Sequence, residues 1–216
     1  KGMTVEDFRR AAALIHQEGL RVTANVGVGI PFLQERASVE AAVNTVKNAL
    51  SWGADGVVLF PYHVKQGTLL ETMHRLGMYQ SVSLWSLIEV LKRLGTEYLD
   101  KVQISWYKDY YGTKISSICH SPTTCSRCKD EVQSLLDEYR ESQSWEVLEK
   151  MAQLTCQCRE EWKARLERQS AVPVYEEIEK MYRKLAAFFR ADPVMAEREL
   201  GVMRQEYRIE KEAGRL

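Results

Sequence analysis

The sequence predicts an α/β fold, with helices and parallel strands alternating over residues 1–118 and a cysteine-containing helical region over residues 119–216. Two observations carry the first half. Between Leu20 and Ile30, Val22, Ala24, Val26 and Val28 alternate with Arg21, Thr23, Asn25 and Gly27, the period of a strand with two unlike faces. The run Gly56-Val57-Val58-Leu59-Phe60 is continuously apolar and closed by Pro61, as in a parallel strand covered on both sides. A third observation carries the second half: beyond Cys128 no strand pattern recurs, and apolar residues fall at helical spacing.

Thr4 and Asp7 form a capping-box pattern with Asp in place of Glu, and Phe8, Ala11, Ala12 and Ile15 follow at helical spacing until Gly19. After the first strand, Ser38 is placed to cap a helix carrying Val39, Ala42, Val43, Val46 and Leu50. A third helix, capped near Ser83, carries Leu84, Leu87, Ile88, Leu91 and Leu94 and stops at Gly95, and Val102 to Tyr107 reads as a further strand. This order with short connections suits a parallel sheet or part of a (β/α) barrel. Helices are expected at 129–141, 144–154, 159–169, 174–190 and 193–211, with Pro193 at the first position of the last. That last helix is densely charged, as a solvated surface element is.

Lys plus Arg and Asp plus Glu each number 30 among 216 residues, so no net field draws in phosphate backbones or acidic membranes. No apolar run approaches the roughly 18 residues of a membrane span, and no basic-then-apolar leader precedes the first helix; a cytoplasmic protein is expected. The chain opens Lys1-Gly2-Met3 and enters a helical pattern almost at once, which raises the expectation of a portion of a longer protein.

All five cysteines, Cys119, Cys125, Cys128, Cys156 and Cys158, fall in one stretch of an otherwise cysteine-free chain. Without an export signal, that clustering favours metal binding over disulfides. Cys125 and Cys128 form a C-x-x-C pair and Cys156 and Cys158 a C-x-C pair about thirty residues later, enough for a closed tetrahedral site. Positions i and i+2 of a helix point to different sides, so Cys156 and Cys158 are expected in the turn before a helix starting near Arg159. The positive end of that helix would stabilise thiolates. His120, beside Cys119, is a candidate to replace one cysteine. Zinc and an iron-sulfur cluster suit these ligands equally on spacing.

Gly27-x-Gly29 has no third glycine opening a helix, which disfavours a dinucleotide site, and no Ser-His-Asp order or paired-carboxylate pattern supports a hydrolase.

The segment from Asn25 through Gly27, Gly29, Ile30, Pro31 and Phe32 to Glu35 resembles a late strand of a radical-SAM partial barrel. So does Gly53-Ala54-Asp55-Gly56 running through Phe60-Pro61-Tyr62-His63-Val64-Lys65 to Gly67-Thr68-Leu69. Tyr79 to Leu91 and Cys156-Gln157-Cys158-Arg159-Glu160-Glu161-Trp162 extend the likeness to the elongator-like radical-SAM group, and within it to the archaeosine-synthesis radical-SAM proteins that act on modified tRNA. The resemblance covers roughly residues 1–165 and implies the C-terminal portion of a partial (β/α) barrel. It further implies S-adenosylmethionine (SAM) and a [4Fe-4S] cluster in the full-length enzyme, an RNA substrate, and an auxiliary or structural metal at the cysteines. The C-x-x-x-C-x-x-C run of the family's catalytic cluster does not occur in these residues, so the chain alone is not expected to cleave SAM. Ligands of parallel α/β folds meet the C-terminal ends of strands. Asn25, Gly27, Gly29, Pro31, Phe60 and Pro61 are accordingly the expected cofactor-binding residues. Asn25 would reach the SAM ribose, the glycines would admit a flat group to the backbone, and His63 and Lys65 would face the substrate. The competing expectation is a non-catalytic, zinc-stabilised module that binds a partner chain. A sheet edge left open at Leu20 to Ile30 would allow self-association in either case.

Overall fold

In the computed structural model, which describes residues 3–112, 116–168 and 173–212, the chain runs α1 (Val5–Gln17), β1 (Thr23–Val28), α2 (Glu35–Ser51), β2 (Gly56–Pro61), β3 (Val64–Lys65), α3 (Leu69–Arg75), α4 (Leu84–Leu94), β4 (Val102–Ile104) and β5 (Ile118–His120). Helices follow: α5 (Lys129–Ser142), α6 (Trp145–Gln153), α7 (Gln157–Glu167), α8 (Val174–Phe188) and α9 (Pro193–Glu212). The chain divides into two compact units, Lys1–Gln169 and Ser170–Leu216. Residues 118 and 119, where the sequence pattern changes, both lie inside the first unit.

β1, β2 and β4 form a parallel sheet with β2 in the middle, Val26 opposite Leu59 and Leu59 opposite Ile104. Among the described residues β1 pairs only with β2, so its other edge carries no strand. The α/β order and the parallel pairing are those the sequence predicts. β2 is covered on one face rather than two: Val57 and Leu59 are buried, whereas Phe60 on the opposite face is exposed. The buried face meets α2, on which α4 packs, and Val39, Val46, Leu84 and Leu87 of these two helices are fully enclosed in the common core. Each such side chain contributes about 1.5–3 kcal/mol by leaving water. The other face is free to line a cleft.

The expected capping box of α1 is present, with Thr4 and Asp7 each bonding the other's backbone N–H. α4 runs between the Ser83 cap and Gly95 as its apolar spacing requires. α2 departs from expectation. It begins at Glu35, and Ser38, instead of capping it, is buried inside its first turns. The Ser38 hydroxyl accepts from the backbone N–H groups of Gly29 and Ile30, both at 3.2 Å. The serine satisfies donors of the loop that leaves β1, which no strand pairs.

β4 ends at Ile104 rather than Tyr107. Ser105 still donates to the Leu59 carbonyl at 2.9 Å, but Tyr107 turns away to meet α5, where its hydroxyl bonds the carboxylate of Asp137. α3 and the antiparallel β3–β5 ladder are too short to carry a readable period, although Thr68 caps α3 by accepting from the Glu71 N–H at 3.2 Å. In the second unit α8 and α9 pack on each other. α9 is not solvated all round, since Ala196 and Leu200 are buried. Residue 169, the expected end of the helix after Cys158, lies outside the described residues. No helix among the described residues is long and apolar enough to cross a membrane.

Candidate metal centre

Two helix starts converge on one point. Cys128 is the N-cap of α5 and Cys156 the N-cap of α7. Cys125 holds the turn before α5, its carbonyl accepting from the Cys128 N–H at 3.2 Å and the Lys129 N–H at 3.0 Å. Cys158 lies in the first turn of α7 rather than before it, which corrects the expectation from spacing. The pair still converges because Cys156 is extended, at φ −157° and ψ 143°, so the i, i+2 divergence of a continuous helix does not apply. The positive ends of both helices thus face the sulfurs, where negative charge is favoured.

The Sγ atoms of Cys125, Cys128, Cys156 and Cys158 lie within 4.8 Å of one another. Four of the separations are Cys125–Cys128 3.7 Å, Cys125–Cys156 3.4 Å, Cys128–Cys158 3.5 Å and Cys156–Cys158 3.6 Å. Sulfurs about 2.3 Å from a single tetrahedral zinc stand about 3.8 Å apart, so the four sulfurs fit one such ion with small outward adjustment. A four-iron cluster gives each sulfur its own iron and requires the sulfurs to move further apart.

The protons on the sulfurs are unequally held. A hydrogen bond from Cys156 lowers the Cys125 thiol to about 6, whereas burial pushes Cys128 up to about 12. Cys125 is thus the more easily deprotonated of the two, and a bound cation would displace the proton of Cys128 to solvent.

His120 stands outside this group. β5 carries it against His74, with ring centroids 4.2 Å apart, and Cys119 is exposed. Residues that spacing does not reveal hold α7 in place: the Trp162 indole N–H donates to the Ser86 hydroxyl at 3.0 Å, Ser86 donates to the Glu35 carboxylate, and Arg165 lies 3.6 Å from Glu35.

A second feature lies at the C-terminal ends of β1 and β2, a cleft of about 530 Å³. Asn25, Gly27, Phe60 and Pro61 line it, as do His63 and Lys65. Tyr62, Trp106 and Ile118 complete it and were not evident from sequence. The space over Gly27 is taken by Tyr62, whose hydroxyl would stand 2.7 Å from an added Cβ. Gly29 and Pro31 are not among the lining residues. Gly29 has φ +84°, its missing Cβ is replaced by Val82, and its carbonyl accepts from the Tyr79 hydroxyl at 3.1 Å. His63 is pinned between the Trp106 carbonyl at 3.0 Å and the Ser121 hydroxyl at 3.2 Å.

No protein-family model matches the chain. It is 29% identical over 167 residues to the archaeosine synthase subunit beta of Methanosarcina acetivorans, covering 77% of this chain and 45% of that protein. A second archaeosine synthase subunit beta, from Thermococcus kodakarensis, is 33% identical over 91 residues, 42% of this chain and 28% of that one. The chain thus spans less than half the length of these relatives. Among solved structures it is similar to Methanocaldococcus infernus Elp3 with an N-terminal deletion, at 22% identity and a TM-score of 0.46, over 65% of this chain and 31% of that one. The likeness to the archaeosine synthase beta subunits supports the resemblance of the chain to the C-terminal portion of the radical-SAM, elongator-like group.

Proposed function

We propose that the chain is the C-terminal portion of a radical-SAM enzyme that modifies RNA, in which Cys125, Cys128, Cys156 and Cys158 hold a structural zinc ion. The observation that carries the zinc reading is the sulfur spacing, close to that around one tetrahedral ion. Four thiolates leave such an ion no open position for substrate, so its contribution is to folding: it joins the start of α5 to the start of α7.

The name of the relatives supports the RNA-modifying half of the reading. SAM, with its cluster, would supply a carbon radical. The sequence holds no C-x-x-x-C-x-x-C run for that cluster, and this chain's part is to shape the cleft. Asn25 offers hydrogen bonds for a ribose, and the exposed rings of Phe60, Tyr62 and Trp106 offer faces on which a planar base stacks. Lys65 adds a positive charge on the same wall.

Elemental analysis with an absorption spectrum of anaerobically purified protein tests the metal assignment. About one zinc per chain with no visible chromophore is expected; iron with sulfide and a brown colour overturns zinc in favour of an auxiliary cluster. The enzymatic half is tested by reconstituting the whole protein with iron and sulfide, where release of 5′-deoxyadenosine from SAM is expected.

The edge of β1 that no strand pairs among the described residues favours one second reading, a zinc-stabilised module without catalysis that takes up a strand from a partner or a second copy. A strictly monomeric whole protein with that edge covered removes it.

A further inference from the structure

The indole of Trp85 is 2% exposed, on the second residue of α4, and its Nε1 lies 3.4 Å from the sulfur of Cys158. We infer that Trp85 is a positioning residue of the metal centre: its indole N–H donates to the Cys158 thiolate and sets how strongly that sulfur binds the ion. This rests on the zinc reading above.

An indole N–H is a donor only, and once buried it needs an acceptor. Four thiolates around a dication carry two surplus negative charges, which the buried side chains on the Trp85 side do not solvate unless one of them donates a hydrogen bond. The N–H of Trp85 reaches one of the thiolates directly. Arg159 strengthens the arrangement. Its guanidinium lies over the Trp85 ring, 5.3 Å from the centroid, and is anchored on the Leu154 carbonyl. A cation on the ring face draws electron density from the indole and makes its N–H a better donor, while adding positive charge beside the thiolates.

Trp162 provides an internal comparison. It is also buried, at 3% exposed, and packs in the same core, but its N–H goes to the Ser86 hydroxyl at 3.0 Å and not to a sulfur. Two neighbouring residues of α4, Trp85 and Ser86, therefore take different parts. Trp85 addresses the ion through Cys158, and Ser86 ties α7 to α2 through Glu35.

The test compares Trp85→Phe with Trp162→Phe in the zinc-loaded protein by chelator competition, and in the cobalt-substituted protein by absorption. Outer contacts of this kind change metal affinity by about 10–100-fold. Trp85→Phe is expected to lose about 10-fold or more in affinity and to move the thiolate-to-cobalt band to longer wavelength, because an unbonded thiolate is the more electron-rich donor. Trp162→Phe is expected to lose stability with the band unmoved. Wild-type band and affinity in Trp85→Phe overturn the inference while leaving the zinc assignment standing; a wild-type protein that takes up neither metal overturns that assignment instead. Should Trp85→Phe fail to fold, the wild-type protein loaded with cadmium-113 and labelled with nitrogen-15 tryptophan decides. One indole proton coupled to cadmium is expected, and no coupling together with no metal-dependent indole shift overturns the inference.

Discussion

The sulfur of Cys128 lies 3.5 Å from that of Cys158, its neighbour across thirty positions of chain. Between them run α5 and α6, and α6 packs on both α5 and α4. A metal ion bound by the four cysteines would therefore close a loop of helices already docked on the sheet unit. Removing it should loosen the helices without unfolding the strands first. Cys128→Ser, or chelation of the wild type, is expected to cost about 3 kcal/mol or more in unfolding measurements. Cys119→Ser, at an exposed thiol outside the group, should keep both zinc content and stability. A Cys128→Ser protein as stable as the wild type would remove the structural role.

Ser86 is 2% exposed and bonded on both sides, to Trp162 and to Glu35. Ser86→Ala leaves the Trp162 N–H and a Glu35 oxygen without that partner, an expected loss of about 1–3 kcal/mol by urea unfolding. Zinc stoichiometry should not change, because no bond of Ser86 reaches a sulfur. Loss of metal in that variant would show that the two networks are one.

An added Cβ at Gly29 would stand 1.9 Å from Val82 Cγ2, on a backbone with φ +84°. Gly29→Ala thus meets both a steric and a conformational penalty, and an expected destabilisation of about 2–4 kcal/mol follows from the clash and the left-handed strain together. Adding Val82→Ala should recover only the steric part. Full recovery in the double variant would mean that φ at this position costs nothing.

What the sequence disclosed follows from the range over which each signal acts. The strand around Val26 and the helix from Leu84 to Leu94 were legible because burial on one side writes a period into the chain. β3 and β5, two and three residues long, write none. The cysteine pairs were visible from spacing, but the break at the Cys156 cap that lets Cys158 join from inside α7 is a backbone property. His120 lies just upstream of Cys125, yet β5 carries it to His74, a placement fixed by ladder register. Gly27 and Gly29 stand out as glycines, but only the packing shows that Tyr62 and Val82 occupy the room they leave.

Asp137 joins α5 to the segment that forms the cleft wall, accepting from Lys108 at 2.6 Å and from the Tyr107 hydroxyl. Burial disfavours its carboxylate, but the bonds from Lys108 and Tyr107 outweigh this and hold the group below its ordinary value of 3.8. A carboxyl depressed in the folded state contributes stability above its unfolded value and loses it as pH falls through the folded value. Asp137→Asn should therefore be less stable than the wild type at pH 7, with the gap steady down to about pH 5 and closing below about pH 4. Metal loss in acid affects both proteins, so the gap between them is the quantity to follow. It should be read by urea unfolding at each pH; a gap of the same size at pH 7 and at pH 3 would mean that Asp137 acts through shape and not through charge. Since Trp106 precedes Tyr107, the same variant should also weaken any ligand that stacks in the cleft, in step with the loss of stability at neutral pH.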